Sequence, residues 1–217
     1  MTPRMQRVTI QAEAMTGVAI MPAQDLELHL READGRRVKR RYTIRHTRPD
    51  KGELDLDVVL HGDGPGSAWG ASAEPGDEIE FQGPRGKLEL RPAPVHLLVG
   101  DESALAALAV IASSLPEDEA ATVIVEIHDV AEEQPLDAAV HWVHRGARPP
   151  GTPELLLPAL AEIGITGPIR AYLLGETRSM VALRAHLERR GVAHDSIFVK
   201  GYWNIGRPDR LAGRTPA

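Results

Sequence analysis

Several short stretches of this sequence carry residue types that can do more than fold. Arg40-Arg41-Tyr42-Thr43-Ile44-Arg45 reads as a strand. In such a strand Tyr42 offers an aromatic face to a flat ring, Thr43 a hydroxyl, and the arginines cations for a pyrophosphate. A solvated strand edge guarded by charge gives the same pattern. His61-Gly62-Asp63-Gly64-Pro65-Gly66-Ser67-Ala68-Trp69 follows a strong strand. Its glycines and the small Ser67-Ala68 pair let backbone N–H groups approach an anion, and a helix starting near Ser67 adds to that attraction. A hairpin loop, with Trp69 as a core residue, also accounts for it.

Gly100-Asp101-Glu102-Ser103 and Gly175-Glu176-Thr177 each close a strand and open a helix. Parallel α/β sheets bind nucleotides at such junctions. Neither contains G-x-G-x-x-G, so the standard dinucleotide fingerprint is absent. Thr177 also suits a plain helix N-cap. Lys200-Gly201-Tyr202-Trp203-Asn204-Ile205-Gly206-Arg207 follows the last strand, and its aromatic pair between cations either covers a flat ligand or anchors the tail.

Two kinds of scaffold must position these stretches. The first ninety or so residues read as short strands (RVTIQAE, DLELHL, VKRRYTIRH, ELDLDVVLHG, DEIEFQG and KLEL) parted by Gly, Pro and Asp turns. Leu54, Leu56, Val58 and Leu60 alternate with Glu53, Asp55 and Asp57, the mark of a strand with one buried face. Such a run of strands suggests a barrel or sandwich. Arg91-Pro92-Ala93-Pro94 is a joint. Beyond it, VHLLVG, TVIVEIHDV, VHWVHRG, IRAYLLG and SIFVKGYW read as buried strands. Between them lie helices around Leu105–Ala112, PELLLPALAEIG and TRSMVALRAHLERRG, the last stopped by Gly191. Strands alternating with helices imply a parallel sheet covered on both faces.

Composition removes several functions. A net charge of -6 with no long basic run argues against general nucleic-acid binding. The absence of cysteine excludes disulfides, thiolate catalysis and cysteine-held iron–sulfur clusters. No apolar run approaches the ~18 residues that cross a bilayer. MTPRMQRVTI lacks a signal-peptide core, and a cytoplasmic location is the expectation.

Taken in order, RRYTIR at 40–45, LDVVLHGDGPGSAWG at 56–70, PGDEIEFQGPRG at 75–86, GDESALAAL at 100–108, WVHR at 142–145, LLGETRSMVALRAHL at 173–187 and KGYWNIG at 200–206 resemble the siderophore-interacting protein family, a branch of the ferredoxin-reductase-like flavoproteins. The resemblance spans nearly the whole chain. It implies a two-domain fold: an antiparallel β-barrel holding FAD over residues 1–91, then an α/β nucleotide-fold domain with a parallel sheet over 92–217. It also implies an oxidoreductase, a ferric-siderophore reductase. Electrons would pass from NADH, NADPH or another donor through FAD to siderophore-bound Fe(III), and Fe(II), which the siderophore oxygens hold less well, would be released.

Carried over by residue, the resemblance sets Arg40 toward the FAD pyrophosphate, Tyr42 on the isoalloxazine and Thr43 near its N5. Ile44 and Val59 join this flavin-binding set. His61, Gly62, Gly66, Ser67 and Trp69 match the loop around the diphosphate and adenosine side. Gly100, Asp101, Ser103, Gly175 and Glu176 match positions expected to meet NADH or NADPH. Lys200, Tyr202 and Trp203 match the C-terminal motif beside the flavin. No side-chain acid or base and no resident metal is expected.

Arg45, Arg145 and Lys200, with Lys51 and His144, are candidates for a positive wall that holds an anionic ferric siderophore. Salt bridges to the many Asp and Glu residues are the alternative for each. The chain departs from the family pattern at Ser103 (usually Thr), Ala106 (usually Pro) and Asn204 (usually Arg), and the family's opening strand is expected to be missing. Asn204 removes a cation from near the flavin. A monomer is expected, with a ferredoxin-type protein as an alternative electron donor. Arg145, Arg178 and Arg184 do not decide between NADH and NADPH. Two other readings stay open: a flavin reductase of the same fold with another acceptor, and a flavin-binding module without turnover.

Overall fold

A computed structural model describes residues 1–32, 34–62 and 64–206. Asp63 and Arg207, members of two of the motifs above, lie outside the described residues. The chain divides into two compact units, Met1–Glu89 and a second that begins at Leu90.

The first unit is antiparallel. Its strands are β1 (Met5–Gln11), β2 (Asp25–Arg31), β3 (Arg37–Arg48), β4 (Glu53–Val59) and β5 (Glu80–Arg85), with one helix, α1 (Pro65–Ser72), between β4 and β5. They lie side by side in the order β1-β4-β3-β2-β5. β2, β3 and β4 form a meander, and β1 returns to lie beside β4, a Greek-key arrangement. β3 joins two half-sheets. Its first half pairs with β2 from Arg37↔Arg31 to Thr43↔Asp25, and its second half pairs with β4 from Ile44↔Leu56 to Arg48↔Glu53. The register shifts between Ile44 and His46, and the consecutive residues Thr43 and Ile44 are both buried there. A bulge at such a crossing re-aims the side chains around it.

The alternation in β4 holds: Leu54, Leu56 and Val58 are at most 2% exposed, and Leu54 and Leu56 face a core with Leu26, Leu28, Leu30, Val38 and Ile44. KLEL, expected as a strand, forms none. Leu88 buries its side chain, but the backbone there joins no ladder. DEIEFQG becomes a strand only from Glu80.

The second unit holds β6 (Val95–Asp101), α2 (Leu105–Ser113), β7 (Ala120–Ile127), β8 (Ala139–His144), α3 (Pro153–Glu162), β9 (Ile169–Glu176), α4 (Thr177–Arg189) and β10 (Ile197–Trp203). All five strands are parallel, in the order β10-β9-β6-β7-β8. Leu97, Val99, Ile124, Ala171 and Leu173 pack under α3 and α4 through Leu156, Leu160, Met180, Leu183 and Leu187. α4 ends as expected: Gly191 N–H donates to Glu188 O (2.9 Å) and Val192 N–H to Leu187 O (3.1 Å). No helix was expected between TVIVEIHDV and VHWVHRG, and no α-helix forms there. β7 passes to β8 through a single 3-10 turn, Val130–Glu132. Strand order reverses between β6 and β9, the topological switch point where doubly wound sheets bind ligands. No described helix is long and apolar enough to cross a membrane.

Candidate functional site

In the first unit, the site grows from the contact between β3 and α1. Tyr42 and Trp69 both pack against the rim of the core, with ring centroids 5.8 Å apart and planes tilted by 43°. Gly66 lies in the first turn of α1, after Pro65. A Cβ at Gly66 would sit 2.2 Å from Tyr42 Oη and 3.8 Å from Arg40 Cγ. Only a residue without a side chain lets the helix start this close to the strand. Gly64, the N-cap, supplies no side chain to the first-turn amides, so their positive end is left to whatever lies before the helix. Burial pushes the Tyr42 phenol up to about 12 against the opposing pull of Arg40, so it stays neutral and can donate a hydrogen bond. Ser67 is half-buried in the same turn, whereas His61 and Gly62 are exposed ahead of it. Thr43 and Ile44 are buried at the bulge, and Val59 ends β4 opposite Met5.

The other face of this sheet carries ion pairs. Asp57 accepts from Arg7 Nε and Nη2 at 2.6 and 2.8 Å, and Arg45 Nε lies 3.8 Å from the same carboxylate. Asp55 is bonded by Arg48 Nη1 and Nη2 and by Thr9 Oγ1, and Glu27 is ringed by Lys39, Arg85 and Arg41. Arg45, expected in a substrate wall, is therefore also a partner of Asp57. Lys51 is exposed in the turn after β3.

In the second unit, carboxyl groups end three neighbouring strands: Asp101 on β6, Glu126 on β7 and Glu176 on β9. All three are at most 2% exposed. Asp101 Oδ1 accepts from Ser103 N (2.9 Å) and from the Ser103 hydroxyl. Its Oδ2 accepts from Glu176 N (2.8 Å) and Trp203 Nε1 (2.9 Å). Glu176 caps α4 by accepting from Ser179 N (2.8 Å), and its other oxygen accepts from Ile205 N (3.2 Å). Ser179 Oγ donates to Gly151 O (2.6 Å), and Gly151 N donates to Glu126 Oε1 (3.1 Å). The ring closes under Trp203. Gly151 has φ +70°, and a Cβ there would meet the indole at 2.6 Å. Thr177 Oγ1 donates to Trp203 O (3.0 Å), so Thr177 does more than open α4.

The sequence placed Gly100, Asp101, Ser103, Gly175 and Glu176 at two strand-to-helix junctions, and the structure brings the two junctions together at the switch point. It turns the Asp101 and Glu176 side chains inward, onto backbone N–H groups and Trp203. Gly100 would press a Cβ to within 2.4 Å of Leu174 O, and Gly175 to within 2.5 Å of Asp101 Oδ2. Arg145 is 6% exposed and doubly bonded to Glu102, both at 2.8 Å, while His144 bonds to Glu133 at 2.9 Å. Lys200 Nζ lies 5.1 Å over the Tyr202 ring. Glu126, Gly151 and Ser179 were not found from sequence. An acid inside the apolar run VIVEI was the available signal for Glu126.

Burial pushes the Asp101 carboxyl up despite its four donors. Burial pushes Glu126 up to about 7, the Gly151 amide opposing and the Asp101 charge adding to it.

An antiparallel Greek-key unit followed by a five-stranded parallel sheet is the ferredoxin-reductase-like arrangement. The ferredoxin reductase in carbazole 1,9a-dioxygenase shares it, with a TM-score of 0.71 at 18% identity over 93% of this chain and 64% of that one. Within that class the chain belongs to the siderophore-interacting protein family. Residues 93–206 match the siderophore-interacting protein model and residues 20–88 the siderophore-interacting FAD-binding domain. Ferric vibriobactin reductase ViuB of Vibrio cholerae is 30% identical over 198 residues, 84% of this chain and 72% of its own length. A siderophore utilization protein from T. fusca superposes with a TM-score of 0.88 at 32% identity, covering 97% of this chain and 91% of that one.

Proposed function

We propose that the chain is an FAD-dependent ferric-siderophore reductase, an oxidoreductase that takes electrons from a nicotinamide donor and delivers them to siderophore-bound Fe(III). Its family membership and its likeness to a ferric vibriobactin reductase support this reading. The observation that carries it is the seat at Gly66. The α1 N-terminus meets Tyr42 and the stem of Arg40 with no room for even a Cβ. The residues present fit the cofactor: uncapped first-turn amides and a guanidinium suit a diphosphate, and Tyr42 beside Trp69 offers aromatic surface.

FAD, when bound, supplies the conversion of a two-electron donor into single-electron delivery. The chain's own residues do the remaining work. Arg40 and the amides of Gly66 and Ser67 hold the diphosphate. Tyr42, kept neutral by burial, packs on the ring system, and Thr43 donates or accepts at its edge. His61, Gly62, Ile44, Val59 and Trp69 shape the walls. In the second unit, the switch point lined by Gly100, Ser103 and Gly175 receives the pyridine nucleotide, and the Asp101 and Glu176 side chains position that surface rather than touch the ligand. Arg45 and Lys200 remain the cations assigned to the anionic ferric siderophore. Arg145 moves from that list to a structural pair with Glu102. The reading includes a monomer in the cytoplasm, where pyridine nucleotides are held, and admits a ferredoxin-type donor.

Purified protein is expected to show the visible absorption bands of oxidised flavin. Rapid mixing of the reduced protein with ferric siderophores, with a ferrous chelator present, is expected to restore those bands as Fe(II) appears. A flavin that stays reduced against every iron complex overturns the reading.

A further inference from the structure

The outer face of the first sheet carries more positive charge on one side than its own carboxyls match. On the β1–β4 side, Arg7, Arg45 and Arg48 meet Asp57, Asp55 and Glu53, an acid for each cation. On the β2–β3–β5 side the balance breaks. Glu27 lies buried beneath Lys39 and Arg85, each at 2.8 Å, with Arg41 at 3.5 Å. A single cation would neutralise that carboxylate. Leu26, Leu28 and Leu30 point into the core, so Arg31 shares the outer face with Asp25, Glu27 and His29. Arg37 is 66% exposed there, 3.9 Å from Glu80, which lies closer to His29 at 3.2 Å. Arg31, Arg37, Lys39, Arg41 and Arg85 thus face Asp25, Glu27 and Glu80, in a chain whose net charge is -6.

The position of the surplus works against the fold taken alone. Arg31 and Arg37 stand directly opposite each other where β2 and β3 pair, and like charges so placed oppose the pairing. An anionic surface shared by the two from outside turns that repulsion into attraction. The same strand links this face to the flavin seat. Arg37, Lys39 and Arg41 alternate along β3 with Val38, Arg40 and Tyr42. The first three point outward, whereas the Arg40 stem and Tyr42 point toward α1. A partner held by the cations stands one strand's thickness from Tyr42.

We propose that this face docks an acidic electron-carrier protein, which reduces the bound FAD in place of the nicotinamide donor. Charge complementarity selects the partner: the surplus spreads over β2, β3 and β5, broader than a small anion and open to a protein surface. Electron-transfer encounters bury little area, and charge steering rather than apolar contact gives them their rate. Each carrier loses one electron, so two dock in turn for every FAD reduced, the protons coming from water. The inference rests on the reading of the chain as a flavin-dependent reductase.

The test uses the flavin-loaded full chain and an acidic [2Fe–2S] ferredoxin. Rapid mixing with the reduced ferredoxin gives the rate of flavin reduction, and surface plasmon resonance gives binding. The double variant Arg31→Glu with Arg37→Glu leaves the Glu27 cluster intact. It is expected to lose about tenfold in both rate and affinity at low salt, with the difference fading at high salt. Arg189→Glu, an exposed reversal in the last turn of α4, is expected to stay within about twofold of the wild type. Reduction by NADH and reoxidation by a ferric siderophore are expected to be equal in all these proteins. Equal ferredoxin rate and affinity in the wild type and the double variant overturn the proposal. So does equal slowing by Arg189→Glu, which would mark overall charge rather than this face. Slower reoxidation by the siderophore in the double variant gives the face to the anionic iron complex and also overturns it. A wild type that ferredoxin neither binds nor reduces sinks the docking and leaves the reductase reading standing. A flavin that stays reduced against every iron complex sinks that reading instead, and the ferredoxin measurements still decide the docking.

Discussion

The two units treat buried carboxyl groups in opposite ways. In the first, Asp55 and Glu27 lie under side-chain cations. Hydrogen bonds from Arg48 hold Asp55 down at about 2 against the cost of burial, and in Glu27 burial is outweighed by Lys39, Arg85 and Arg41, leaving it lowered. In the second, Asp101 and Glu126 lean on backbone N–H groups and an indole, and burial wins: both are raised. Cations on flexible stems follow a charge wherever the fold puts it, and keep one end in water. Backbone donors are fixed, so they specify geometry without neutralising charge. The first arrangement suits a sheet surface, and the second suits strand ends that must be held in register.

Exchanging Asp for Asn in each unit tests the comparison most strongly. Each Asp101 oxygen receives two donors, so an Asn amide must face an N–H or O–H whichever way it turns. Asp101→Asn is expected to cost about 2–4 kcal/mol of stability in chemical denaturation at neutral pH. A loss below 1 kcal/mol would show that the strand-end donors are as adaptable as the cations of the sheet face.

A smaller effect is expected at Gly66, where close packing replaces charge matching. Gly66→Ala must displace either α1 or Tyr42, at roughly 2 kcal/mol, or about thirtyfold in flavin affinity. Flavin retention on gel filtration, read by visible absorbance, checks this. Unchanged retention would remove the α1–β3 contact from the cofactor site.

Asp55→Asn is expected to cost least, about 1–2 kcal/mol at neutral pH, because Arg48 can turn toward water. Its folded value of about 2 lies below the ordinary 3.8, so the stabilisation is complete above about pH 4 and is lost as pH falls toward 2. Mutant and wild type should therefore converge in acid, whereas Glu126 loses its contribution as pH rises. Parallel pH profiles for Asp55→Asn and Glu126→Gln would erase the distinction between the units.

Much of this was legible in the sequence, for identifiable reasons. Leu54, Leu56 and Val58 announce β4 because a half-buried strand must alternate, and VHLLVG announces β6 because a strand covered on both faces need not. The strand-end positions of Asp101 and Glu176 followed from the βα pattern. Their partners did not, since Trp203 reaches Asp101 and Ile205 reaches Glu176 from distant parts of the chain. KLEL misled because burial of Leu88 needs an apolar residue but no ladder. The β7–β8 link was read without a helix, and residues 128–138 supply the length a parallel crossover needs with a single 3-10 turn. Glu126 escaped notice because one acid in an apolar run looks like a solvent-facing strand residue until the neighbouring strands cover it.

The long strand β3 also bears on how the first unit comes together. Its partners β2 and β4 are its neighbours along the chain, so both hairpins close short loops. β1 must find β4 by bringing Met5 to Val59, and β5 must find β2 by bringing Glu80 to His29. Those distant closures cost more chain entropy and return no contacts until they are complete. Assembly is expected to spread outward from β3, with the two edge strands joining last. The seat at Gly66, which hangs on the connection between β4 and β5, then takes shape only near the end of folding.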